Sequence, residues 1–266
     1  MEYNFTGKTV LVLAGSKGIG FEISNQFYQY NADVIIVSRS LENLKKAKKE
    51  ILKNKFTKGS ISIEKFDISN VSKIDSFAKQ IEKKYSKSVD ILIGNSGGPP
   101  PKSISQITSK DWQNALNNNL LGAIYFTKVF SKKMIKNNWG RIIYLTSSTA
   151  KEPVANFALS NVPRAALSSF SKTLSLEIAD KGVTVNNILT GGVLTERLKY
   201  LVMKNIKNKS TSYNQEIKNI SKTVPVGHIA TPEEFMQIIF FLASEKSSYV
   251  NGLSIPVDGG TSKNLF

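Results

Sequence analysis

A short glycine-rich segment follows the first apolar stretch of the chain and precedes an amphipathic stretch. It contributes Gly15, Ser16, Lys17, Gly18, Ile19 and Gly20. Glycines at a strand-to-helix junction let the backbone approach a phosphate closely, and the free amides at the helix N-terminus then meet its negative charge. The segment therefore predicts a loop that binds the pyrophosphate of a dinucleotide.

The end of the second apolar stretch carries a basic residue. It reads Ser38, Arg39 and Ser40, and Lys17 of the glycine loop is expected nearby. An acidic residue at this place binds the ribose hydroxyls of NAD, whereas a basic residue accommodates the 2′-phosphate of NADP. We therefore expect NADP(H) in preference to NAD(H). The alternative is that Arg39 is only a solvated loop charge.

Few other residue types are available for chemistry. The chain has no cysteine and one histidine, which excludes disulfides and thiolate nucleophiles and argues against a metal site. His228 has no recognisable partner for general-base catalysis, and it precedes Thr231–Glu234, which resembles a helix start with a capping box. Hydroxyls, amides, amines, carboxylates or a bound cofactor must therefore supply any reaction.

The elements that position these residues alternate between strand and helix. Predicted strands are Thr9–Leu13, Asp33–Ser38, Ser60–Phe66, Asp90–Gly94, Arg141–Thr146, Val183–Leu189 and Leu253–Val257. Predicted helices are Gly18–Tyr30, Leu41–Lys53, Lys73–Tyr85, Asp111–Asn137, Arg164–Asp180 and Pro232–Ala243. This alternation predicts an α/β fold, a Rossmann-type doubly wound parallel sheet of seven strands with helices on both faces.

The whole chain, residues 1–266, is expected to form a single domain. Within it, residues 191–223 are rich in Lys and Asn and interrupt the regular alternation after the sixth strand. Ligands of open α/β sheets bind at the carboxyl ends of the strands, so this segment is expected to form a substrate lid. Tyr200 and Tyr213 within it are either apolar anchors or acids that reach the site when the lid closes.

The formal net charge of +16 raises the question of a nucleic-acid partner. The lysines are spread over many segments, and clusters such as Lys45–Lys49 and Lys204–Lys209 have no interleaved aromatic residues. A solvated basic surface explains them, and nucleic-acid binding is not expected. No apolar run is long enough to span a membrane, and Met1–Lys8 has no signal-peptide pattern, so we expect a cytoplasmic protein.

Several further motifs follow the predicted strands and together resemble one family. Asp67-Ile68 follows the third strand, Asn95-Ser96-Gly97-Gly98 the fourth and Gly191–Thr195 the sixth, and Asn251–Gly260 surrounds the last. With the glycine loop, these segments resemble the short-chain dehydrogenase/reductase family, including its 3-oxoacyl-acyl-carrier-protein reductase-like members. The resemblance implies that the cofactor is contacted by Asp67, Ile68, Asn95, Gly97, Arg164, Gly191, Val193 and Thr195 in addition to the glycine loop, Ser38 and Arg39.

The resemblance also implies a catalytic set. In the family an Asn supports a water relay, a Ser holds the carbonyl oxygen, and a Tyr and a Lys four residues later supply the proton and bind ribose. These places fall on Asn119, Ser147, Ser160 and Arg164, with Ser148 as the other register for the first serine. A serine hydroxyl is a much weaker acid than a phenol, and arginine keeps its charge without giving up a proton.

The chain departs from the family pattern at other places as well. The family's first loop glycine falls on Ala14, which suits the loop if its φ is negative. Pro163 is unfavourable inside a helix, so we expect the helix that carries Arg164 to begin near Ser160, with Ser160 or Asn161 as its cap.

The expected activity is that of an NADP(H)-dependent oxidoreductase on a carbonyl or alcohol substrate, with the proton taken from water, the substrate or a lid tyrosine. The alternative is a nicotinamide-binding protein without turnover, acting as a sensor or partner subunit. The resemblance also implies a homodimer or homotetramer. The substrate pocket is expected to be apolar or mixed, and the residues expected to line it are Pro99, Pro100, Pro101, Phe157, Leu194 and Leu198.

Overall fold

A parallel sheet of seven strands runs through the centre of the molecule. The computed structural model describes residues 3–53, 57–85, 87–206 and 211–265. Its strands are β1 Thr9–Leu13, β2 Asp33–Ser38, β3 Ser60–Lys65, β4 Ile91–Gly94, β5 Gly140–Leu145, β6 Val183–Thr190 and β7 Ser254–Val257. Their spatial order is β3-β2-β1-β4-β5-β6-β7, and all six neighbouring pairs are parallel. The predicted fold class is confirmed, and each strand boundary lies within one residue of its predicted place.

The strand sequences explain why the sheet is buried on both faces. β1 and β5 are buried along their entire length, as expected of near-continuous apolar runs in a parallel sheet. The described helices are α1 Gly18–Gln29, α2 Leu41–Ile51, α3 Ile74–Tyr85, α4 Ser109–Leu116, α5 Gly122–Lys136, α6 Ala158–Glu177, α7 Glu196–Ile206, α8 Tyr213–Thr223 and α9 Met236–Ala243. One apolar cluster joins the sheet to α1, α2 and α9, and a second joins it to α3, α5 and α6.

Helix α6 begins earlier than the sequence predicts. It starts at Ala158, with Phe157 at the N-cap position and no side-chain cap, so the prediction that Ser160 or Asn161 caps the helix is wrong. Pro163 lies inside the helix, close to its N-terminus. Pro163 is the sixth residue of α6, so it lacks the amide that would otherwise bond to the Leu159 carbonyl, and the helix continues despite this loss. Ser160 therefore lies within the first turn of α6.

The long helix predicted over Asp111–Asn137 is divided into three parts. A π-helical turn, Asn117–Leu121, separates α4 from α5. Such turns are rare and widen the helix by one residue, which changes the direction of the side chains that they carry. Asn119 lies at the centre of this turn and is buried.

The segment predicted as a lid contains two helices, α7 and α8, which pack against each other. Residues 207–210 of this segment, with part of the Lys204–Lys209 cluster, lie outside the described residues. In the part of the chain that the structure describes, no helix has the length and apolar character needed to cross a membrane.

Candidate active site

A cleft of about 1190 Å³ lies across the carboxyl ends of the strands. The segments that follow β1 to β6 all contribute to its lining. β1 and β4 are neighbours in the sheet, and the chain continues from β1 to β2 on one side and from β4 to β5 on the other. The cleft therefore lies at the point where the strand order reverses. Ligands of doubly wound sheets bind at this point.

Two glycines of the loop after β1 are needed for close packing. A Cβ atom on Gly20 would lie 2.6 Å from the Ala14 carbonyl oxygen and 2.7 Å from Asn95 Nδ2. A Cβ on Gly15 would lie 2.8 Å from Ile36 Cγ2. Both positions therefore require glycine, and neither residue lines the cleft. The residues of this loop that line it are Ala14, Ser16, Lys17, Gly18 and Ile19.

The backbone of Ala14 differs from the sequence-based expectation. Its φ is 49°, in the left-handed region, whereas the sequence analysis requires a negative φ for an alanine at this place. A Cβ in this region approaches the following carbonyl oxygen, which costs roughly 1–2 kcal/mol. The chain thus retains the backbone turn of a glycine while carrying an alanine.

Basic side chains surround one end of the cleft. Lys17 and Arg39 are exposed, and Ser16 Oγ donates to Ser38 Oγ at 2.9 Å, which ties the glycine loop to the end of β2. After β3, Asp67 accepts hydrogen bonds from the backbone N–H and the hydroxyl of Ser69. Lys17 and Arg39, predicted to bind the 2′-phosphate, line this end of the cleft together with Asp67 and Ile68, which are predicted to contact adenine.

The opposite end of the cleft contains a buried arginine. Arg164 is 8% exposed, and its Nε donates to Ser160 Oγ at 3.2 Å, while Nη1 donates to the Leu145 carbonyl oxygen at 3.2 Å. Burial, and to a smaller extent the positive charge of Arg197, lowers the pKa of Arg164 to about 10. The guanidinium remains protonated near neutral pH, so this end of the cleft carries a fixed positive charge.

Asn119 lies across from this arginine on the π-helical turn. Its Oδ1 accepts from Ser96 Oγ at 2.8 Å and from Asn118 Nδ2 at 3.4 Å. The Nδ2 group is buried and has no hydrogen-bond partner. Buried polar groups are normally paired, so this amide marks a place for a water molecule or a ligand oxygen.

Ser147 follows β5 and lines the same cleft. Its Oγ accepts from the backbone N–H of Thr149 at 3.2 Å and from Thr149 Oγ1 at 3.1 Å, which leaves the Ser147 hydroxyl hydrogen able to donate. All four predicted catalytic residues therefore line one cleft. A hydrogen bond joins Ser160 to Arg164, whereas Ser147 and Asn119 are held by other neighbours.

The lid adds residues to the cleft, including one that the sequence analysis missed. Thr195, Glu196, Arg197, Leu198 and Leu201 line the cleft, as do the predicted pocket residues Pro99, Pro100 and Phe157. Arg197 follows the Gly191–Thr195 motif by two residues, and this proximity is the only signal that the sequence offered.

Other predicted residues lie elsewhere. The lining does not include Tyr200, Tyr213, Leu194 or Pro101. His228 also lies outside it, and its Nε2 is 2.7 Å from Glu234 Oε1. Glu234 also accepts from the backbone N–H of Thr231, and hydrogen bonding to Glu234 raises the pKa of His228.

Comparison with known proteins agrees with this geometry. The family model of the short chain dehydrogenases matches residues 8–205. The chain belongs to the short-chain dehydrogenase family. It is 34% identical over 257 residues to a 3-oxoacyl-[acyl-carrier-protein] reductase of Buchnera aphidicola (subsp. Schizaphis graminum), covering 95% of this chain and 96% of the relative. It is 30% identical over 258 residues to an NADPH-dependent reductase of Bacillus subtilis, covering 97% and 99%.

A solved structure of a reductase has the same fold. L-sorbose reductase from Gluconobacter frateurii, complexed with NADPH and L-sorbose, superposes with a TM-score of 0.92 at 25% identity and full coverage of both chains. Together with the family assignment, this similarity supports a short-chain reductase with a nicotinamide cofactor.

Proposed function

We propose that the chain is an NADP(H)-dependent oxidoreductase that acts on a carbonyl or alcohol substrate, with Asn119, Ser147, Ser160 and Arg164 as its catalytic set. The observation that carries the proposal is one continuous cleft that joins the glycine loop to the buried guanidinium of Arg164. NADP has adenosine with its 2′-phosphate at one end, the pyrophosphate in the middle and the reacting nicotinamide ring at the other end, an order that matches the loops after β2 and β3, the glycine loop and the end with Arg164.

The residues of the loops fit such a cofactor. The amides of Ser16 to Ile19 would hold the pyrophosphate, because they lie at the N-terminus of α1 and Gly15 and Gly20 keep the loop close to the sheet. Asp67 and Ile68 would contact adenine. Asn95, Gly97, Gly191, Val193 and Thr195 would contact the nicotinamide half. When bound, the nicotinamide donates or accepts a hydride.

The preference for NADP(H) rests on Arg39 and Lys17. Both side chains are exposed at the end of the cleft next to β2, where a 2′-phosphate would lie. The Bacillus subtilis relative is named an NADPH-dependent reductase, and the L-sorbose reductase structure contains NADPH, which agrees with this preference.

Within the catalytic set, Arg164 would stabilise negative charge on the reacting oxygen. A buried cation acts more strongly than an exposed one because little solvent screens it. Ser147 would donate its hydroxyl hydrogen to the same oxygen. Ser160 Oγ is bound by Arg164 Nε and would position that guanidinium and relay a proton.

The proton itself would come from water. Among the described residues that line the cleft there is no tyrosine, histidine or cysteine, and Ser160, at the place of the family's tyrosine, is a much weaker acid than a phenol. The free Nδ2 of Asn119 would hold the water molecule that delivers the proton.

The experiment follows NADPH absorbance in two assays. In one, NADPH is mixed with a broad panel of carbonyl compounds, and in the other, NADP is mixed with the corresponding alcohols. Ser147→Ala should lower kcat/KM roughly 100-fold, as expected when one donor to a developing oxyanion is removed. Ser148→Ala tests the other register, and a larger loss in this variant would move the role from Ser147 to Ser148. If neither the wild type nor any variant shows activity above background, the proposal is rejected.

A second candidate is a nicotinamide-binding protein without turnover. The observation that favours it is that Ser160 stands at the place of the family's tyrosine and that no tyrosine is among the described residues that line the cleft. It predicts that NADP raises the unfolding temperature while no substrate is turned over, even in the double variant Ser160→Tyr with Arg164→Lys. Strong activity in that double variant would instead show that only the reacting pair was lost.

A further inference from the structure

A second arginine lies close to Arg164 at the same end of the cleft. Arg197 is in the first turn of α7, and its Nη2 donates to the Pro99 carbonyl oxygen at 2.5 Å. Its guanidinium lies against Gly98, where a Cβ atom would be 3.0 Å from Nε. The lid thus places a cation over the loop that follows β4.

Neither arginine has a carboxylate partner. In the described part of the chain no salt bridge involves Arg164 or Arg197. Three carboxylates are among the described residues that line the cleft: Asp67 is bound by Ser69, Asp111 is bound by Lys102 and Thr108, and Glu196 is exposed. Burial lowers the pKa of both guanidinium groups, and the charge of Arg197 lowers that of Arg164 further.

Arg164 is buried and Arg197 is partly buried, and two like charges that are shielded from water without a counterion are unfavourable. Each guanidinium has five N–H donors, and the hydrogen bonds to Ser160, Leu145 and Pro99 use only some of them. A bound anion would satisfy the remaining donors and offset the repulsion. A carboxylate suits the planar fork of an arginine because two parallel hydrogen bonds can form.

The position of Arg197 indicates that this anion belongs to the substrate and is not the pyrophosphate of the cofactor. The pyrophosphate would lie at the glycine loop, and the lid residue next to that loop is Thr195, whose Cγ2 is 3.5 Å from the Cβ position of Gly18. Arg197 lies instead against Gly98 and Pro99. The apolar residues Phe157, Leu198 and Leu201 line the same cleft and would contact the rest of a substrate.

We propose that Arg197, together with Arg164, binds a carboxylate carried by the substrate, so that the chain reduces oxo acids or oxidises hydroxy acids in preference to neutral analogues. This inference rests on the proposed function and names its substrate class. Arg197 determines specificity, while Arg164 serves both the anion and the reacting oxygen.

The test compares oxo acids with their neutral esters. The probes are 4-oxopentanoate and 5-oxohexanoate, each with its methyl ester, assayed by NADPH oxidation. In the wild type the acids should have the higher kcat/KM. Arg197→Gln keeps an N–H donor for the Pro99 carbonyl but removes the charge. It should lower kcat/KM for the acids roughly 10- to 100-fold, mainly through KM, and leave the esters within about twofold.

Two further variants control for charge and fold. Lys199→Gln makes the same charge change on an exposed residue of the same helix and should leave the ratio of acid to ester unchanged. Arg197→Lys should recover part of the preference for acids. An unchanged ratio in Arg197→Gln, with an unfolding temperature like that of the wild type, would overturn the inference.

A binding measurement separates this inference from the proposed function. The acids and esters are titrated calorimetrically into the chain with and without NADP, and binding of the acids should depend on Arg197 even if no turnover occurs. Turnover without any preference for acids would leave the proposed function standing and reject the inference. If Arg197→Gln weakens NADP itself and spares the acids, the arginine binds a cofactor phosphate and the inference is also rejected.

Discussion

At one end of the cleft the charges of Lys17 and Arg39 are exposed to solvent, whereas at the other end the charge of Arg164 is buried. The exposed end obtains its shape from backbone: two glycines that cannot carry a side chain hold the loop against the sheet. The buried end obtains its properties from side chains that four separate segments bring together, after β4 and β5 and on the π-helical turn and α6.

The two kinds of charge have different physical consequences. An exposed cation is screened by water and salt, so it contributes modest affinity and changes the stability of the fold little. A buried cation without a counterion acts strongly on a charge that develops beside it, but its desolvation destabilises the folded state. The charge at the chemical end of the cleft should therefore oppose stability, and the charges at the cofactor end should not.

Arg164→Met is the strongest test of this difference and has the largest expected effect. Methionine fills a similar volume without a charge, so the unfolding temperature should stay the same or rise, while NADPH oxidation falls roughly 100-fold or more. Calorimetric unfolding and initial rates measure the two effects. Arg39→Met is the matched control at the exposed end, and it should leave the unfolding temperature unchanged. A clear loss of stability in Arg164→Met would contradict the comparison.

The same arginine gives a pH dependence with a defined sign. The pKa of Arg164 is lowered to about 10 in the folded protein, so the folded state binds this proton less tightly than the unfolded state does. The destabilisation is fully present below about pH 10 and is relieved as the pH rises above this value toward the higher pKa of the unfolded state. The stability difference between Arg164→Met and the wild type should thus be constant near neutral pH and shrink above pH 10.

Gly20→Ala tests whether the cofactor end depends on backbone packing. The added methyl group would meet the Ala14 carbonyl and Asn95 Nδ2. The free energy of unfolding should fall by about 1–3 kcal/mol, and NADP binding should weaken with it. Gly97→Ala is the control for stability, since no atom lies within 4 Å of its Cβ position. Equal unfolding curves for the two variants would show that packing at Gly20 does not shape the loop.

The sequence predicted the cofactor end better than the chemical end, for a physical reason. Strands such as β1 and β2 are short apolar runs bounded by loop residues, and the glycine loop is contiguous, so local pattern was sufficient for both. The start of α6 was predicted too late because Pro163 argues against a helix, whereas α6 begins at Ala158 and includes that proline. The π-helical turn at Asn119 also leaves no local signal in an amphipathic pattern.

Two other features depend on contacts that a local pattern does not contain. The left-handed backbone of Ala14 follows from the close packing of Gly15 and Gly20 around it. The helices α7 and α8 are rich in lysine and asparagine, and no helix was predicted within the lid segment, yet each has one apolar side. Arg197 became a candidate only when α7 placed it against Gly98.

Arg39→Ser tests how much the charge at the exposed end contributes to NADP affinity, and its effect should be smaller. The affinity for NADP should fall about fivefold and the affinity for NAD should change little, because an exposed charge pair is worth about 1 kcal/mol. Isothermal titration with both dinucleotides measures the change, and added salt should reduce the difference between wild type and variant. Arg39→Lys should retain most of the affinity. A loss that is the same for NAD and NADP would remove Arg39 from the 2′-phosphate site.

The smallest expected effect concerns Ala14, where backbone strain is present at the cofactor end. Ala14→Gly should raise the free energy of unfolding by about 1 kcal/mol or slightly less, because glycine adopts the left-handed conformation without the Cβ contact but loses more entropy on folding. Asn138, with a φ of 52°, provides the control, since asparagine tolerates this region and Asn138→Gly should be nearly neutral. Equal changes in both variants would show that Ala14 is not strained. A stabilised Ala14→Gly with unchanged NADP affinity would show that the strain lies in the fold and does not tune the cofactor site.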